Sequence, residues 1–359
     1  MAQNLVSAFL FQLIEGIMKF LRKQLRILSL RIYSRSVLVI LLNVFRSRLR
    51  LPRVTFRCLI FVYKKYKSLR SEPVQLDLQM FERGQFGLKN SKTPTIKNSA
   101  SVQLLYISTK KDFKTLPISI LYSRNSLRKF AVKEISVYVP GNQVSECKDV
   151  LRSHDHEVWV RSENELVTSE QWSLLKARFQ GRAGWVLQQI LKVAGTLHSS
   201  SAYTLIVDSD TIILRERDWI PVGKSGVLTP SDEFTPDYYR FLHRLGIGSE
   251  RPLHSFVSHH MLIEKRLLIE ALRRVGVVTI SDLIDICISR ADEDSFSPLC
   301  VDYELYAQFM EENYPEKIQL EKWANLGMPA KYFDAFATKK FPFRVFSRLY
   351  DSISFHSWS

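Results

Sequence analysis

The sequence contains few cysteines, and their spacing is not that of a metal or disulfide framework. Only four of the 359 residues are cysteines, namely Cys58, Cys147, Cys287 and Cys300. They are scattered and form no Cys-x-x-Cys pair, which excludes zinc fingers and small disulfide-stapled domains. Free thiols in a reducing compartment are therefore expected. The length of the chain allows one large domain or two smaller ones. Its 46% of hydrophobic residues is enough to form a buried core.

Acidic residues are nearly absent from one end of the chain. Residues 1–70 contain 15 Lys and Arg and a single acid, Glu15, a local net charge of +14 out of +15 for the whole sequence. The remainder carries 36 basic and 35 acidic residues. It therefore lacks the strong positive field that is typical of nucleic-acid-binding domains, and a nucleic-acid partner is not expected.

The sequence also lacks a hydrophobic run that is long enough to span a bilayer without interruption. The apolar cluster Val37–Phe45 has about half of the required length. Leu5–Leu30 places apolar side chains at helical spacing with basic residues behind them. This order, apolar first and then basic, differs from that of a secretory signal. Residues 1–70 are predicted to form a basic amphipathic helical arm.

Three roles are open for this arm. Its charge and apolar face favour peripheral attachment to an anionic membrane surface, which predicts a cytoplasmic protein on the inner face of the cell membrane. Alternatively, the arm packs as a helical subdomain on the catalytic body or another subunit, or binds phosphate backbones. Residues 71–101, rich in polar residues, Gly and Pro, predict a linker or irregular lead-in before a domain that spans residues 102–359.

From residue 102 onward, strand patterns alternate with helical patterns. Val102–Ile107, Glu134–Val139 and Val158–Val160 are apolar, strand-like runs, and a helical pattern around Leu116 follows the first of them. Such alternation predicts an α/β fold with a mostly parallel sheet flanked by helices. In such sheets, ligands bind beyond the carboxyl ends of the strands.

An aspartate pair interrupts the most apolar run of the chain. Tyr203–Leu214 is predicted to be a buried strand, yet it contains Asp208 and Asp210. A carboxylate in such surroundings needs a cationic partner. In an extended strand both carboxylates face the same side, whereas a turn at Ser209 presents both at the strand end. Either geometry suits a divalent cation that also binds substrate phosphates. The alternative is a pair that only caps a turn.

A glycine-rich helix start precedes the aspartate strand. Gly181, Arg182 and Gly184 open a helix, so backbone can approach a phosphate and a guanidinium can pair with it. Further along this helix, Gln188 and Lys192 lie on one face. The alternative is plain packing of a helix that contains Trp185.

More polar groups follow the aspartate strand. Asp232 and Glu233 precede an aromatic, basic helix that contains Tyr239 and Arg240. These residues can line an acceptor or diphosphate pocket, or the acids can only cap that helix.

The later part of the chain adds histidines and acids. His259 and His260 are adjacent in a predicted strand and face opposite sides, so at most one faces the site. Asp302 and Glu304 open a later helix and either satisfy its dipole or act as a base toward an acceptor hydroxyl. The aromatic C-terminus is expected to dock and deliver His356.

The order of these parts resembles a bacterial family of poorly characterised glycosyltransferase-like proteins and, more broadly, GT-A nucleotide-sugar glycosyltransferases. The resemblance covers residues 102 to the C-terminus and leaves the first hundred unexplained. The motifs that carry it are Gly181-Arg182-Ala183-Gly184-Trp185 with Gln188-Gln189, Val207-Asp208-Ser209-Asp210, Tyr238-Tyr239-Arg240-Phe241-Leu242-His243, Ser258-His259-His260-Met261 and Asp302-Tyr303-Glu304-Leu305-Tyr306.

This resemblance implies a Rossmann-like GT-A sheet that holds a nucleoside diphosphate sugar, with Mn²⁺ or Mg²⁺ on the diphosphate. It implies that Asp210 binds the metal, that Asp208 contacts the metal or the ribose, and that His356 is a further ligand. Asp302 or Glu304 is then the candidate base of an inverting reaction. The implied donor-binding residues are Lys111, Asp112, Gly181, Arg182, Gly184, Trp185, Gln188, Gln189 and Asp208.

The expected activity is that of a hexosyltransferase-type enzyme that transfers a sugar to a glycan or lipid-linked acceptor in surface polysaccharide synthesis. One alternative is a haloacid-dehalogenase-like phosphatase with Asp208 as nucleophile and Asp210 as acid. That family places its motif on the first strand, whereas two or three predicted strands precede it here. The other alternative is a non-catalytic, membrane-associated sugar-binding scaffold.

Overall fold

The computed structural model describes residues 100–152, 158–291, 299–334, 343 and 346–356. The chain divides into two units, Met1–Lys92 and Thr93–Ser359, and all described residues belong to the second. The predicted arm 1–70 and nearly all of the predicted linker 71–101 lie outside the described residues, so both stay predictions. Within the described part of the chain, no helix has both the length and the apolar character that a membrane crossing needs.

A five-stranded sheet forms the centre of the fold. Strands β1 (Ser101–Ile107), β2 (Ala131–Val139), β3 (Trp159–Ser162) and β4 (Tyr203–Val207) are parallel to one another. Strand β7 (His260–Glu264) pairs with β4 in the antiparallel direction, which gives the order β3-β2-β1-β4-β7. The predicted α/β architecture with a mostly parallel sheet flanked by helices is confirmed.

Helices cover both faces of this sheet, because alternate side chains of each strand point to opposite sides. Leu105 and Ile107 of β1 belong to one buried hydrophobic cluster, whereas Leu104 and Tyr106 belong to the other. A strand that is apolar on both faces needs such two-sided cover. The helices are α1 Leu116–Ser126, α2 Val144–Arg152, α3 Ser169–Phe179, α4 Ala183–His198, α5 Pro236–Arg244, α6 Lys265–Arg274, α7 Ile280–Arg290 and α8 Tyr303–Asn313.

A second, three-stranded sheet brings the end of the described chain to the aspartate motif. Its order is β5-β10-β9, formed by β5 (Thr211–Ile213), β9 (Asn325–Pro329) and β10 (Ser352–His356). Strand β10 is antiparallel to β5 and parallel to β9. A further parallel pair joins β6 (Gly226–Leu228) to β8 (Ile318–Leu320). The expected docking of the C-terminus is seen in β10, while Trp358 lies outside the described residues.

Two predicted strands have different bounds in the structure. The run Tyr203–Leu214 is split into β4 and β5 by a turn, which the amide of Thr211 closes by donating to the carbonyl of Asp208 at 2.9 Å. Of the two geometries considered for the aspartate pair, the structure therefore has the turn, which places both residues after the end of β4. The strand predicted over residues 255–263 begins only at His260, and of the residues before it Ser255 forms a single bridge to Ser231.

The fold predicts that Gly195 of α4 tolerates no side chain. A Cβ at this position would lie 2.9 Å from Leu105 Cδ2 and 3.4 Å from Tyr138, two side chains that are themselves fully buried. Although Ala favours a helix over Gly by about 1 kcal/mol, we expect G195A to lower the free energy of unfolding by about 1–3 kcal/mol through overpacking. Chemical denaturation measures this change.

Gly184, at the start of the same helix, provides the control. A Cβ there would meet nothing within 4 Å, so G184A should be neutral or slightly stabilising. Equal stability of the G195A and G184A variants would contradict the observed packing of α4 on β1.

Candidate functional site

The ammonium group of Lys192 bridges two carboxylates at the carboxyl end of the central sheet. Lys192 projects from α4, and its Nζ lies 2.9 Å from Asp208 Oδ1 and 3.1 Å from Asp302 Oδ2. The same Nζ lies 4.1 Å from the centre of the Tyr303 ring, and the Tyr303 hydroxyl donates to Asp208 Oδ1 at 3.3 Å. The cationic partner that Asp208 requires is thus a lysine of the chain itself.

The charges of this cluster stabilise one another. Burial alone lowers the pKa of Lys192, but Asp208, Tyr303 and Asp302 together raise it well above its ordinary value. Burial likewise raises the pKa of Asp208, but Lys192 and His259 hold it below its ordinary value. Both groups are therefore charged at neutral pH. The side chain of Lys192 is 7% exposed and that of Asp208 is 21% exposed, so Asp208 remains accessible to a ligand.

Asp210 and His356 form a second pair next to this cluster. Asp210 Oδ2 lies 3.3 Å from His356 Nδ1, and the hydroxyl of Thr211 donates to Asp210 Oδ1 at 3.2 Å. His259 Nδ1 lies 3.3 Å from Asp208 Oδ2, and the rings of His259 and His356 are 5.1 Å apart. Two aspartate–histidine pairs therefore lie side by side at the turn between β4 and β5.

One of these pairs fits a divalent cation. Ligand atoms about 2.1 Å from an octahedral ion at right angles are about 3.0 Å apart, close to the 3.3 Å between Asp210 Oδ2 and His356 Nδ1. Asp208 Oδ2 and His259 Nδ1 have the same separation, but the charge of Asp208 is already balanced by Lys192, which binds its Oδ1. No group of three or more His, Cys, Asp or Glu in the described ranges has the spacing of a complete metal site. An ion on Asp210 and His356 would take its other ligands from substrate and water.

The end of β1 contributes a further carboxylate. Ser209 donates its hydroxyl to Asp112 Oδ2 at 3.0 Å. Burial raises the pKa of Asp112 to about 6, the charges of Asp210 and Asp208 add to this, and that of Lys111 opposes it. Lys111 itself is exposed. The two residues predicted from the end of the first strand therefore lie beside the aspartate turn.

The glycine-rich start of α4 is open to solvent. Gly181, Arg182 and Gly184 are exposed, and a Cβ on either glycine would meet nothing within 4 Å. Packing therefore does not require these glycines. Trp185 stacks on Tyr238 with ring centres 5.8 Å apart. Their predicted contacts with a donor remain predictions.

The two glutamines of this helix differ in environment. Gln188 is half-buried, whereas Gln189 is buried. The Gln189 amide accepts from the backbone of Val301 at 2.8 Å and donates to the carbonyl of Leu299 at 3.1 Å. Gln189 thus uses its amide to hold the segment that leads to Asp302, and this engagement corrects the expectation of a direct donor contact.

Glu304 is not placed where the expected base would act. It is fully buried, and its Oε1 accepts from the hydroxyls of Tyr239 and Ser255, both at 2.9 Å, and from the amide of Phe256 at 2.7 Å. Its Oε2 accepts from Gln308 at 2.9 Å. Burial raises the pKa of Glu304, and these donors oppose the rise. Glu304 therefore anchors α5 and the segment before β7 to α8.

His259 and His260 have different environments. His259 contacts Asp208, whereas the His260 ring lies 3.9 Å from the ring of Trp323 and 5.4 Å from that of Trp219. Burial lowers the pKa of His260 to about 3, and no described residue bonds to its ring nitrogens. His260 is thus a neutral packing residue, which corrects its expected role in an acceptor pocket.

The other residues predicted for an acceptor pocket are not gathered into one. Tyr239 is buried and bonds to Glu304, and the exposed Arg240 pairs with Asp237 on its own helix. Asp232 and Glu233 are exposed. Partial desolvation raises the pKa of Glu233, and the charge of His259 opposes this rise. Glu233 lies within reach of the charge of His259, and His259 in turn contacts Asp208 of the aspartate turn.

Sequence reasoning did not assign Lys192, Tyr303 or Thr211 to the site. For Lys192 a signal exists, because it is a single charge among apolar residues of α4: Val186, Leu187, Ile190, Leu191, Val193 and Ala194 are all buried. Tyr303 and Thr211 carry no comparable signal, since aromatic and β-branched residues are ordinary in such elements.

The fold and the site define a mostly parallel α/β protein with a charged aspartate turn beyond the end of its central strand. The chain matches the profile of DUF6492, described as a family of unknown function, over residues 104–314. This match covers more than half of the sequence, and the protein belongs to that family. A search of curated proteins found no match to the chain.

Several solved structures are similar to this chain. Mouse xyloside xylosyltransferase 1 is 16% identical with a TM-score of 0.40, over 72% of this chain and 98% of that one. The galactosyltransferase LgtC with donor and acceptor sugar analogues is 11% identical, TM-score 0.40, over 70% and 86%. The mannosyltransferase Ktr4p from S. cerevisiae is 10% identical, TM-score 0.38, over 58% and 64%.

The bridge predicts a large loss of stability when Lys192 loses its charge. K192M keeps most of the side-chain length but leaves Asp208 and Asp302 without their counter-charge, which should lower the free energy of unfolding by about 3 kcal/mol at pH 7.5. Denaturant unfolding measures it. K148M, at an exposed lysine of α2, is the control and should change stability by less than about 0.5 kcal/mol.

The loss of stability caused by K192M should become smaller as the pH falls. In the wild type, the lowered pKa of Asp208 stabilises the fold, and this stabilisation is fully present above about pH 3.9, the pKa of Asp in an unfolded chain. Without Lys192, desolvation raises this pKa, so the variant gains stability as its carboxylates take up protons. A deficit that is no larger than that of K148M would contradict the bridging role.

His260 predicts a second pH effect. The folded protein protonates His260 only near pH 3, whereas the unfolded chain does so near 6.5. Below about pH 6.5 the unfolded chain therefore binds a proton that the folded protein does not, and the wild type loses stability. The H260F variant lacks this effect, so between pH 7.5 and 5.0 the variant should lose about 2 kcal/mol less stability than the wild type. H243Q, at an exposed histidine of α5, is the control. Identical pH profiles of H260F and wild type would refute this role.

Proposed function

We propose that this protein is a metal-dependent glycosyltransferase that moves a sugar from a nucleoside diphosphate sugar to a glycan or lipid-linked acceptor. The observation that carries the proposal is the Asp210–His356 pair, whose facing atoms are 3.3 Å apart at the carboxyl end of β4. Parallel α/β sheets bind their ligands at this edge. The order of motifs along the chain, which resembles that of GT-A nucleotide-sugar glycosyltransferases, supports the same assignment.

In this proposal, Asp210 and His356 hold Mn²⁺ or Mg²⁺ together with the donor diphosphate. The bound ion would offset negative charge on the departing diphosphate. The exposed Arg182 and the amide groups at the start of α4 provide further positive potential for phosphate. Asp112 and Lys111, at the end of β1, are assigned to the nucleoside side of the donor.

Lys192 orients the carboxylate that the proposal assigns to the transferred sugar. Its Nζ contacts Asp208 and Asp302 at once, so neither carboxylate rotates freely. The Asp208 side chain is 21% exposed, whereas that of Asp302 is 6% exposed and also accepts from the thiol of Cys300 at 3.1 Å. We therefore assign a hydroxyl of the transferred hexose to Asp208, and to Asp302 the counter-charge that holds Lys192 in place.

The acceptor is assigned to the side of the site where Glu233 and His259 lie. The His259 side chain is 34% exposed and Glu233 is exposed, so an acceptor hydroxyl can reach this side. The basic arm 1–70, attached to an anionic membrane surface, would hold the protein close to a lipid-linked acceptor. This arrangement agrees with a role in surface polysaccharide synthesis.

The geometry disfavours the phosphatase alternative. A nucleophilic aspartate needs an oxygen that is free to attack, whereas Asp208 Oδ1 bonds to Lys192 and Tyr303, and Oδ2 contacts His259. The motif also follows β4, the fourth strand of the described chain. The scaffold alternative retains the same site without turnover, so binding and transfer have to be measured separately.

A screen of nucleoside diphosphates and their sugars, with and without Mn²⁺, tests the proposal through thermal shift and calorimetry. We expect Mn²⁺-dependent binding of one nucleotide class, followed by transfer or hydrolysis of its sugar. D210N should weaken this binding at least about 10-fold, since a neutral amide oxygen is a weaker ligand for the cation than a carboxylate. D285N, at an exposed aspartate of α7, should bind as the wild type does.

Each alternative has its own outcome. Binding without turnover of any sugar nucleotide would favour the scaffold, and a trapped phosphoaspartate at Asp208 would favour the phosphatase. If no nucleotide or sugar nucleotide shifts the melting temperature, with or without Mn²⁺, the glycosyltransferase proposal is wrong.

A further inference from the structure

A row of buried hydroxyl groups lies directly behind Asp210. Thr211 of β5 and both Ser352 and Ser354 of β10 are fully buried. Thr211 is paired with Ser354 across the two strands, and Ser352 and Ser354, two residues apart, point to the same face of β10. Together with Asn325 of β9, these residues are named the hydroxyl ladder here. Most buried strand positions are apolar, since a hydroxyl buried without a partner is costly.

Each rung of the hydroxyl ladder has a partner. The Thr211 and Ser354 hydroxyls are 2.7 Å apart, and Ser352 and Ser354 lie 2.7 Å and 3.2 Å from Asn325 Oδ1. At one end, Trp323 Nε1 donates to Ser352 at 2.7 Å. At the other end, Thr211 donates to Asp210 Oδ1 at 3.2 Å. These contacts connect an indole at one end of the ladder with the aspartate at the other.

The number of protons gives the hydroxyl ladder a direction. Each hydroxyl has one hydrogen to donate. If Thr211 gives its hydrogen to Asp210, the 2.7 Å contact has to be donated by Ser354, and the 3.2 Å contact between Ser354 and Asn325 Oδ1 is then not a hydrogen bond. Asn325 Oδ1 then still accepts from Ser352, so no described member of the ladder is left without a bond. In this arrangement the hydroxyls nearest the carboxylate all donate toward its charge, and such chains strengthen one another.

The hydroxyl ladder also sets the register of β10. Ser352, Ser354 and His356 lie on one face of this strand, and a slip by one residue would turn all three away from it. The backbone amide of Phe355 donates to the carbonyl of Asp210 at 2.8 Å. The hydroxyl bonds thus fix both members of the Asp210–His356 pair, one through its carboxylate and the other through its strand.

We propose that Thr211 and Ser354 are positioning residues, which orient Asp210 Oδ1 toward the hydroxyl ladder so that Oδ2 faces His356. The inference rests on the proposed function only where it assigns a metal ion to this pair. The donated bond from Thr211 is the outer-shell support of a metal-binding carboxylate, and loss of such support typically weakens metal binding about 10–100-fold.

Full-length T211V, T211S, S354A and S352A variants test this inference. Calorimetric titration with Mn²⁺ alone should show about 10-fold weaker binding for T211V and S354A, with T211S close to the wild type because it keeps the hydroxyl. S352A is the matched control: it lies in the same strand, on the same face, and bonds to Asn325 but not to Thr211. It should lower the melting temperature about as S354A does, with unchanged Mn²⁺ affinity.

Crystal structures of T211V and wild type provide a readout that does not depend on metal. We expect the Asp210 carboxylate of T211V to turn away from His356 Nδ1. The inference is overturned if T211V retains both the wild-type orientation and the wild-type affinity, or if S352A weakens Mn²⁺ binding as much as S354A does. If the wild type binds no Mn²⁺ in the absence of a nucleotide, the carboxylate orientation in T211V alone decides the inference, while the metal of the proposed function is tested separately by the nucleotide screen.

Discussion

The ion-pair cluster of Lys192 is the interaction on which the rest of the site depends. A single ammonium group, almost removed from water, contacts Asp208 at the end of β4 and Asp302 before α8. These residues are far apart in the sequence and belong to three elements of the fold. Because a buried charge without a partner costs several kcal/mol, each member requires the other two. The cluster therefore joins α4, β4 and α8 at the edge where a parallel sheet binds its ligands.

The second sheet completes what this cluster begins. Strand β10 lies between β5 and β9, and Asp351 just before it bonds to the amide of Ala324 and pairs with Arg215 and Arg217. These bonds fix the start of β10, and the hydroxyl ladder fixes its middle. Its last residue, His356, consequently meets Asp210 from a position 146 residues further along the chain. The site thus combines one carboxylate that is occupied by a lysine with another that faces a histidine.

Several features of the protein were accessible from local patterns, for identifiable reasons. Apolar runs such as β1 predicted a covered parallel sheet. The aspartate pair within such a run left two geometries open, an extended strand or a turn at its end, and the structure has the turn. The adjacency of His259 and His260 predicted that only one of them faces this site. Other expectations did not hold. Glu304, a candidate base because it opens a helix after the aspartate strand, accepts from four donors. Gln189 bonds to the backbone of Leu299 and Val301 instead of facing an open pocket.

By itself, the sequence determined the α/β alternation, the concentration of charge in residues 1–70 and the presence of Asp208 and Asp210 beside an apolar strand, because periodicity and local composition decide these. The tertiary structure alone decided which cation accompanies Asp208, which histidine meets Asp210 and which acid is buried as an anchor. These outcomes depend on contacts between residues that are distant along the chain. Burial, charge pairing and hydrogen bonding act on groups that the fold brings together, and no local pattern records such proximity.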